Sequence, residues 1–426
     1  MAKVDVLPEA DGIPYLISEP LIHKVGNGYE FSWCEGDEWV FKANMTHIKE
    51  SSRGELSGEL TIEHEFKGTL LDITHINLLS EISRTKIAKK LATRHNIINW
   101  DFLIEQVCTI TVKRYREGEP AQEIWPSEED TLTPEYLLEP ILYLNHPAVL
   151  FGDYGSLKSL TALATAYIIQ LPYPNNPLGL ITAEEPNKCL YLDYEDDSSS
   201  FRKRWSALES GFGQGAMPVF YLRMTAPLAD STEQVRHEID KKGIRFLIVD
   251  SLGPAARGNL NDAEPAIRYH AALRQLGITS LTLAHTSKDQ LSSKKTIFGS
   301  VFFTNLSRSV WECKSLQETG EDEAIISLKN TKANLSRLHP PMGYKFNFTD
   351  NCITIARTDL RDTGLSSELP LSLRIKDLLR QGAMTVKDIA ETLETNEPSA
   401  RTVIYRMKQR GQLIKIGESW GLTLEP

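Results

Sequence analysis

Ten residues, Phe151-Gly152-Asp153-Tyr154-Gly155-Ser156-Leu157-Lys158-Ser159-Leu160, combine glycine, lysine and hydroxyl types at a spacing that can hold phosphate. The pattern G-x-x-x-x-G-K-[ST] places backbone N–H groups around phosphate oxygens, a lysine on the outer phosphates and a hydroxyl on Mg2+. Gly152, Lys158 and Ser159 stand in that register, with an extra glycine at Gly155 and Leu157 at the second glycine position. A side chain at Leu157 must turn away from the phosphates. The alternative is an ordinary strand–turn–helix connection with a solvated lysine.

Three apolar runs end in residues that could complete such a site. Cys189-Leu190-Tyr191-Leu192-Asp193-Tyr194-Glu195 ends in acids, and Glu195 is the candidate to activate water for attack on a terminal phosphate. The alternative there is an inert acidic loop. Arg245–Asp250 ends in Asp250, either an acid that holds Mg2+ or a helix-capping aspartate. Leu281–Ala284 precedes His285, either a sensor of the outer phosphate or a surface histidine. The segment that follows carries Lys288, Lys294 and Lys295 among serines, able to meet a nucleic-acid backbone or simply to be solvated. Arg308, Lys329 and Lys332 are candidates to reach a neighbouring subunit's nucleotide, or plain surface charges.

These residues need a scaffold. Strands are expected at Ala148–Phe151, Lys188–Asp193, Val219–Leu222, Phe246–Asp250 and Ser280–Ala284, alternating with helical stretches. That alternation predicts an α/β domain with a mainly parallel sheet, whose ligands gather beyond the carboxyl ends of the strands. Two further β-like stretches follow at Glu323–Lys329 and Lys345–Phe348.

The 426 residues divide into three expected domains: 1–130, 131–360 and 366–426. The first is read as an α+β accessory domain, with strands at Tyr29–Trp33 and Glu38–Ala43 and helices around Asn77–Ile82 and Asp101–Val107. It contains no catalytic constellation, and a polar linker is expected from Arg116 to Asp130. The tail is read as helices at Leu371–Arg380, Thr385–Leu393 and Ser399–Arg410, then a hairpin of Ile414–Ile416 with Trp420–Thr423. The net charge of −10 excludes a wholly basic nucleic-acid coat. Five scattered cysteines without a C-x-x-C suit a reducing cytoplasm and give no zinc signature. No apolar run is long enough for a membrane span.

In this order and spacing, "LFGDYGSLKSLTAL", "CLYLDYED", "RFLIVDSLGP", "LTLAHTSK", "FGS…NLSRSVWE" and "LKNTKANLSRLHPP" resemble RecA-like ATPases over Glu139 to Phe348. The similarity is greatest to the hexameric helicase branch of RepA-type and DnaB-type proteins and to related AAA-type ATPases of phages and mobile elements. The resemblance implies ATP and Mg2+ as cofactors. It implies nucleotide binding by Gly152, Asp153, Tyr154, Gly155, Ser156, Leu157, Lys158, Ser159 and Leu160, and a metal held by Ser159 and Asp250. Lys158, Glu195, Asp250 and His285 would be catalytic. Lys332 or Lys329 would be the cation acting in trans, with Arg308 competing. A lysine there departs from the commoner arginine and lacks its bidentate fork. The family's central channel loops would fall near Arg257–Asp262 and Ser287–Ile297. The tail resembles a winged helix-turn-helix in which Arg401, Arg406, Lys408 and Arg410 meet DNA, or which serves protein contacts instead.

The leading expectation is a cytoplasmic hexamer that hydrolyses ATP to move along single-stranded DNA, as a replicative helicase or loader whose partners are single- or double-stranded DNA and replication or recombination proteins. The alternative is an ATP-switched DNA-binding regulator or recombination mediator without unwinding. A small-molecule kinase explains neither the tail nor the trans-acting cations.

Overall fold

The computed structural model describes residues 19–25, 28–35, 38–51, 53–96, 98–118, 121, 123–125, 133–287 and 295–423. The chain forms two compact units, Met1–Asp130 and Thr131–Pro426.

In the first unit, β1 (Leu21–Val25), β2 (Gly28–Glu35), β3 (Glu38–Glu50), β4 (Leu56–His64) and β5 (Gly68–Asn77) form an antiparallel sheet in sequential order. Alternate residues of β4, such as Leu60 and Ile62, are buried. They share a core with Phe31, Trp33 and the apolar stripe Leu103, Ile104 and Val107 of α2 (Trp100–Glu117). The helix expected around Asn77–Ile82 instead starts at Glu81, as α1 (Glu81–Ala92). Asn77 closes β5 and its Oδ1 accepts the Leu79 N–H, while Ser80 caps the helix by accepting from Ser83. Two side chains that compete for backbone donors thus set the boundary. The expected linker also begins later, because α2 continues through Arg116 and Glu117 to its Gly118 cap.

The second unit opens with a small antiparallel sheet of β6 (Tyr136–Glu139), β7 (Leu142–Tyr143) and the later β9 (Ile181–Thr182). Its main sheet has nine strands. β8 (Pro147–Gly152), α3 (Lys158–Gln170), β10 (Lys188–Asp193), α4 (Ser198–Phe212), β11 (Phe220–Arg223) and α5 (Thr232–Lys242) come first. β12 (Ile244–Asp250), α6 (Leu252–Ala256), α7 (Ala263–Leu276), β13 (Thr279–His285), α8 (Val301–Leu306) and β14 (Ser309–Leu316) follow. β15 (Glu323–Ala333), β16 (Met342–Thr349) and β17 (Cys352–Thr358) complete it. The order is β11-β10-β12-β13-β8-β14-β15-β16-β17, parallel through β14 and antiparallel beyond. This is the α/β sheet with flanking helices that the sequence predicts. The central strands are apolar on both faces, as burial between helix layers requires. Phe246 and Ile248 of β12 face a core shared with α3 and α4, while Leu247 and Val249 face one shared with α5 and α7.

Two strands of the main sheet, β14 and β17, lie outside the sequence expectations, as do β1, β4 and β5 of the first unit and the short β6, β7, β9 and β18 (Met384–Thr385). β14 reads Ser-Val-Trp-Glu-Cys-Lys-Ser-Leu, and its charged residues hide the apolar run that burial between β8 and β15 explains. The tail contains α9 (Leu371–Leu379), β18 (Met384–Thr385), α10 (Val386–Thr392), α11 (Glu397–Gln409), β19 (Leu413–Ile416) and β20 (Ser419–Leu422). Thr385 caps α10, accepting the Asp388 N–H, and β19 pairs with β20 as the expected hairpin. The third helix starts two residues before Ser399, because Asn396 supplies the cap and Pro398 enters the first turn. Among the described residues, no helix is long and apolar enough to cross a membrane.

Candidate active site

The loop between β8 and α3 is built around its own lysine. Gly152 permits the close approach of β14, since a Cβ there would lie 2.2 Å from the Cys313 carbonyl oxygen. Gly155 has φ +74°, the left-handed region that glycine enters freely. Leu157 adopts φ 60° and ψ 23° just before α3, and its side chain packs on the α3–α4 side of the sheet. The leucine therefore takes the backbone shape of the glycine it replaces and turns its side chain into apolar surroundings. Lys158 Nζ folds back to donate to the Gly152 and Asp153 carbonyls at 3.1 and 2.8 Å and to Ser156 Oγ at 3.2 Å. At 8% exposure, burial holds its ammonium below the usual lysine range.

Four strand ends meet at this loop. Asp193 stands beside Asp250 in the β10–β12 register, and His285 beside Gly152 in the β13–β8 register. Ser159 Oγ donates to Asp250 Oδ2 at 2.7 Å, and the Tyr191 hydroxyl donates to the same oxygen. Burial raises the Asp250 carboxyl above its ordinary value and pushes the Tyr191 phenol well up, so that the phenol remains a donor. Asp193 Oδ1 accepts the Glu195 and Asp196 N–H groups at 3.0 and 2.9 Å, which fixes the turn carrying Glu195. The Glu195 carboxylate is exposed, accepts from the Ser251 hydroxyl and lies 3.8 Å from His285 Nε2. Lys158, Ser159, Asp193, Glu195, Asp250, Ser251 and His285 line a cleft of about 440 Å³.

Lys158, Ser159, Glu195, Asp250 and His285 are thus brought into one cleft. Asp193, Ser251 and Arg204 join them in the lining, and buried Tyr191 bonds Asp250 behind it, none of the four singled out from the sequence. Asp193 and Tyr191 had a signal, because alternation along β10 sets both near the end that carries Glu195. Arg204 had none: it enters from α4, and only the folding of that helix over the strand ends places it there.

Among the described residues, no group of three or more His, Cys, Asp and Glu side chains could hold a metal ion by itself. Ser159 and Asp250 present hard oxygens instead, and the Asp193 Oδ2 nearby is buried without a hydrogen-bond partner. That donor set fits Mg2+, which keeps most of its ligands as water and substrate phosphate oxygens.

The other expected residues lie elsewhere or are engaged. Asp153 accepts from Thr286 and from Lys295, and the Lys295 ammonium holds its carboxyl below the usual range. Tyr154 is 95% exposed. Lys288 and Lys294 fall outside the described residues. Lys332 Nζ donates to the Thr304, Asn305 and Ser307 carbonyls, each at 2.8 Å, and so closes the end of α8. Lys329 pairs with buried Glu368 at 3.3 Å. Arg308 is exposed. In the tail, Arg401 pairs with Glu397 at 2.6 Å and Lys408 lies over the Trp420 ring, while Arg406 and Arg410 are exposed.

Residues 119–291 match a family model described as an AAA domain. No curated protein sequence matches the chain. Among solved structures, a KaiC-like protein from the hyperthermophilic archaeon Pyrococcus horikoshii OT3 aligns at 15% identity and TM-score 0.35, over 51% of this chain and 93% of that one. The family match and the loop geometry together support an ATPase domain of the P-loop type in the second unit.

Proposed function

We propose that this chain binds and hydrolyses ATP as an oligomeric DNA motor, a RepA-like replicative helicase or loader of a phage, plasmid or other mobile element. The observation that carries the ATPase part is the convergence of Lys158, Ser159, Glu195, Asp250 and His285 at adjoining strand ends in one cleft. Lys158, now bonded to loop carbonyls, would hold the β- and γ-phosphates, and Ser159 and Asp250 would hold Mg2+. Bound Mg2+ neutralises charge on the phosphates. Glu195, oriented by Ser251 and by the Asp193-fixed turn, accepts the proton of the attacking water. His285, within reach of Glu195, links phosphate occupancy to the segment after β13.

Of the three trans-acting candidates, Arg308 is favoured, because Lys332 and Lys329 are occupied within their own chain. The tail of residues 366–426, proposed as a winged helix-turn-helix domain, would contact DNA through Arg406 and Arg410. Lys158→Ala is expected to abolish nucleotide binding. Glu195→Gln is expected to keep binding and to lower turnover by about 100-fold or more. Undiminished hydrolysis in either variant overturns these assignments.

The engagement of Lys332 by three carbonyls favours a second reading, an ATP-switched DNA-binding regulator with slow hydrolysis. Strand displacement on a forked DNA separates the two. A motor unwinds only with turnover, whereas the switch assembles on ATP binding and leaves the fork intact.

A further inference from the structure

Arg204 shares the cleft with the phosphate loop and has no role in the chemistry described so far. α4 starts at Ser198, where the Asp197 carboxylate accepts the Ser199 and Ser200 N–H groups, and this cap fixes the helix that delivers the arginine. The guanidinium is half-buried. One terminal nitrogen lies 3.0 Å from Asp196 Oδ2, and Nε is buried with no hydrogen-bond partner. A guanidinium presents five donors in a fixed fork, and a buried N–H without an acceptor is unfavourable. Asp196 is itself restrained, since its carbonyl accepts from Arg223 at 2.8 Å.

The charges around the cleft show what is missing. Asp193, Glu195, Asp196 and Asp250 line it, against Lys158 and Arg204 as its only lysine or arginine cations among the described residues. A polyphosphate entering among four carboxyl groups needs both cations as well as its metal. Planar guanidinium matches phosphate oxygens better than any other side chain. Arg204 also lies close enough for its charge to act on the Tyr191 hydroxyl, which bonds Asp250 at the metal end of the site.

We propose that Arg204 binds the phosphate chain of the nucleotide in cis, exchanging Asp196 for phosphate oxygens when the site fills. The inference rests on the nucleotide-binding reading of the cleft and adds a second cation to Lys158. Asp196 holds the guanidinium at the rim of the cleft and releases it to the ligand.

The test titrates the full chain with a fluorescent ATP analogue and competes it with inorganic tripolyphosphate, which lacks base and ribose. Arg204→Ala is expected to weaken both ligands by about 10- to 100-fold, the equivalent of one charged hydrogen-bond set. Arg204→Lys restores part of the loss, and Asp196→Asn leaves affinity unchanged or tighter. Thermal melting without ligand shows whether each variant folds, with Arg204→Gln used if the alanine variant does not. If the wild type binds ATP and Arg204→Ala or Arg204→Gln binds both ligands equally well, the proposal is overturned. It is also overturned if ATP weakens while tripolyphosphate does not, which would put Arg204 on the base or ribose. Equal weakening by Asp196→Asn overturns it too, because the pair would then only shape the turn. A wild-type chain that binds no nucleotide overturns the underlying reading of the cleft, and this proposal with it.

Discussion

Leu157 shows how one residue can break a motif and keep its geometry. A left-handed non-glycine residue costs about 1–2 kcal/mol, and packing its half-buried side chain offsets a similar amount. Leu157→Gly is therefore expected to change stability by less than about 1 kcal/mol and to leave nucleotide affinity unchanged. Chemical denaturation and ligand titration check this, and a marked loss of affinity would show that the leucine side chain belongs to the site. Asp250 illustrates the opposite trade. Burial raises its folded-state pKa, so the folded chain holds the proton more tightly than the unfolded one. Its contribution to stability is present below the ordinary carboxylate pKa and is lost as pH rises through the raised value. Asp250→Asn, which resembles the protonated acid, should therefore melt higher than wild type at neutral pH without ligand. The gap should close in acid, and Mg2+-dependent turnover should be absent. A lower melting temperature at neutral pH would contradict the sign.

At the scale of elements, β14 is a strand that sequence periodicity missed, and it packs directly on the phosphate loop. Its Cys313 backbone packs on Gly152, Cys313 Sγ contacts the Ser156 carbonyl and Ser315 Oγ reaches the Gly155 carbonyl. Lys314, also on β14, pairs with Glu368 at 2.5 Å, and Lys329 of β15 pairs with the same carboxylate. Glu368→Ala leaves two half-buried lysines facing each other and should cost about 1–3 kcal/mol, read from denaturant unfolding. Lys332 belongs to the same class of residue. Its ammonium closes α8, so Lys332→Ala should lower stability by about 1 kcal/mol while turnover per folded molecule persists. Arg308→Ala should do the reverse, with melting unchanged and turnover lost in the assembled state. If Lys332→Ala abolishes turnover without lowering stability, the finger belongs to the lysine after all.

For the whole molecule, the motor proposal joins an ATPase cleft to a tail of nine basic and eight acidic residues. So small a cationic excess makes the individual positions matter more than the net charge. Removing the exposed Arg406 should weaken DNA binding and reduce the salt dependence of log affinity by about 1. Arg401, already paired with Glu397, should contribute less. A tail that contacts protein instead would leave the salt slope unchanged in both variants. Sizing with ATP and single-stranded DNA tests assembly, and a monomer under every condition, with no turnover, would remove the motor proposal.

Local sequence determined much of this protein. Apolar runs bounded by glycine and acids mark β8, β10, β12 and β13, because a parallel strand buried on both faces tolerates little else. The spacing of Gly152, Lys158 and Ser159 marks the loop, and residues at strand ends mark Glu195, Asp250 and His285. Those signals are local, since each depends on residues within one element. Tertiary structure decided what sequence spacing cannot carry. It set Asp193 beside Asp250, brought Arg204 across from α4, engaged Lys332 with α8 and Lys329 with Glu368, and placed Arg308 on the surface. Each of those outcomes depends on which distant partner a side chain meets, and only the packed sheet with its flanking helices makes that choice.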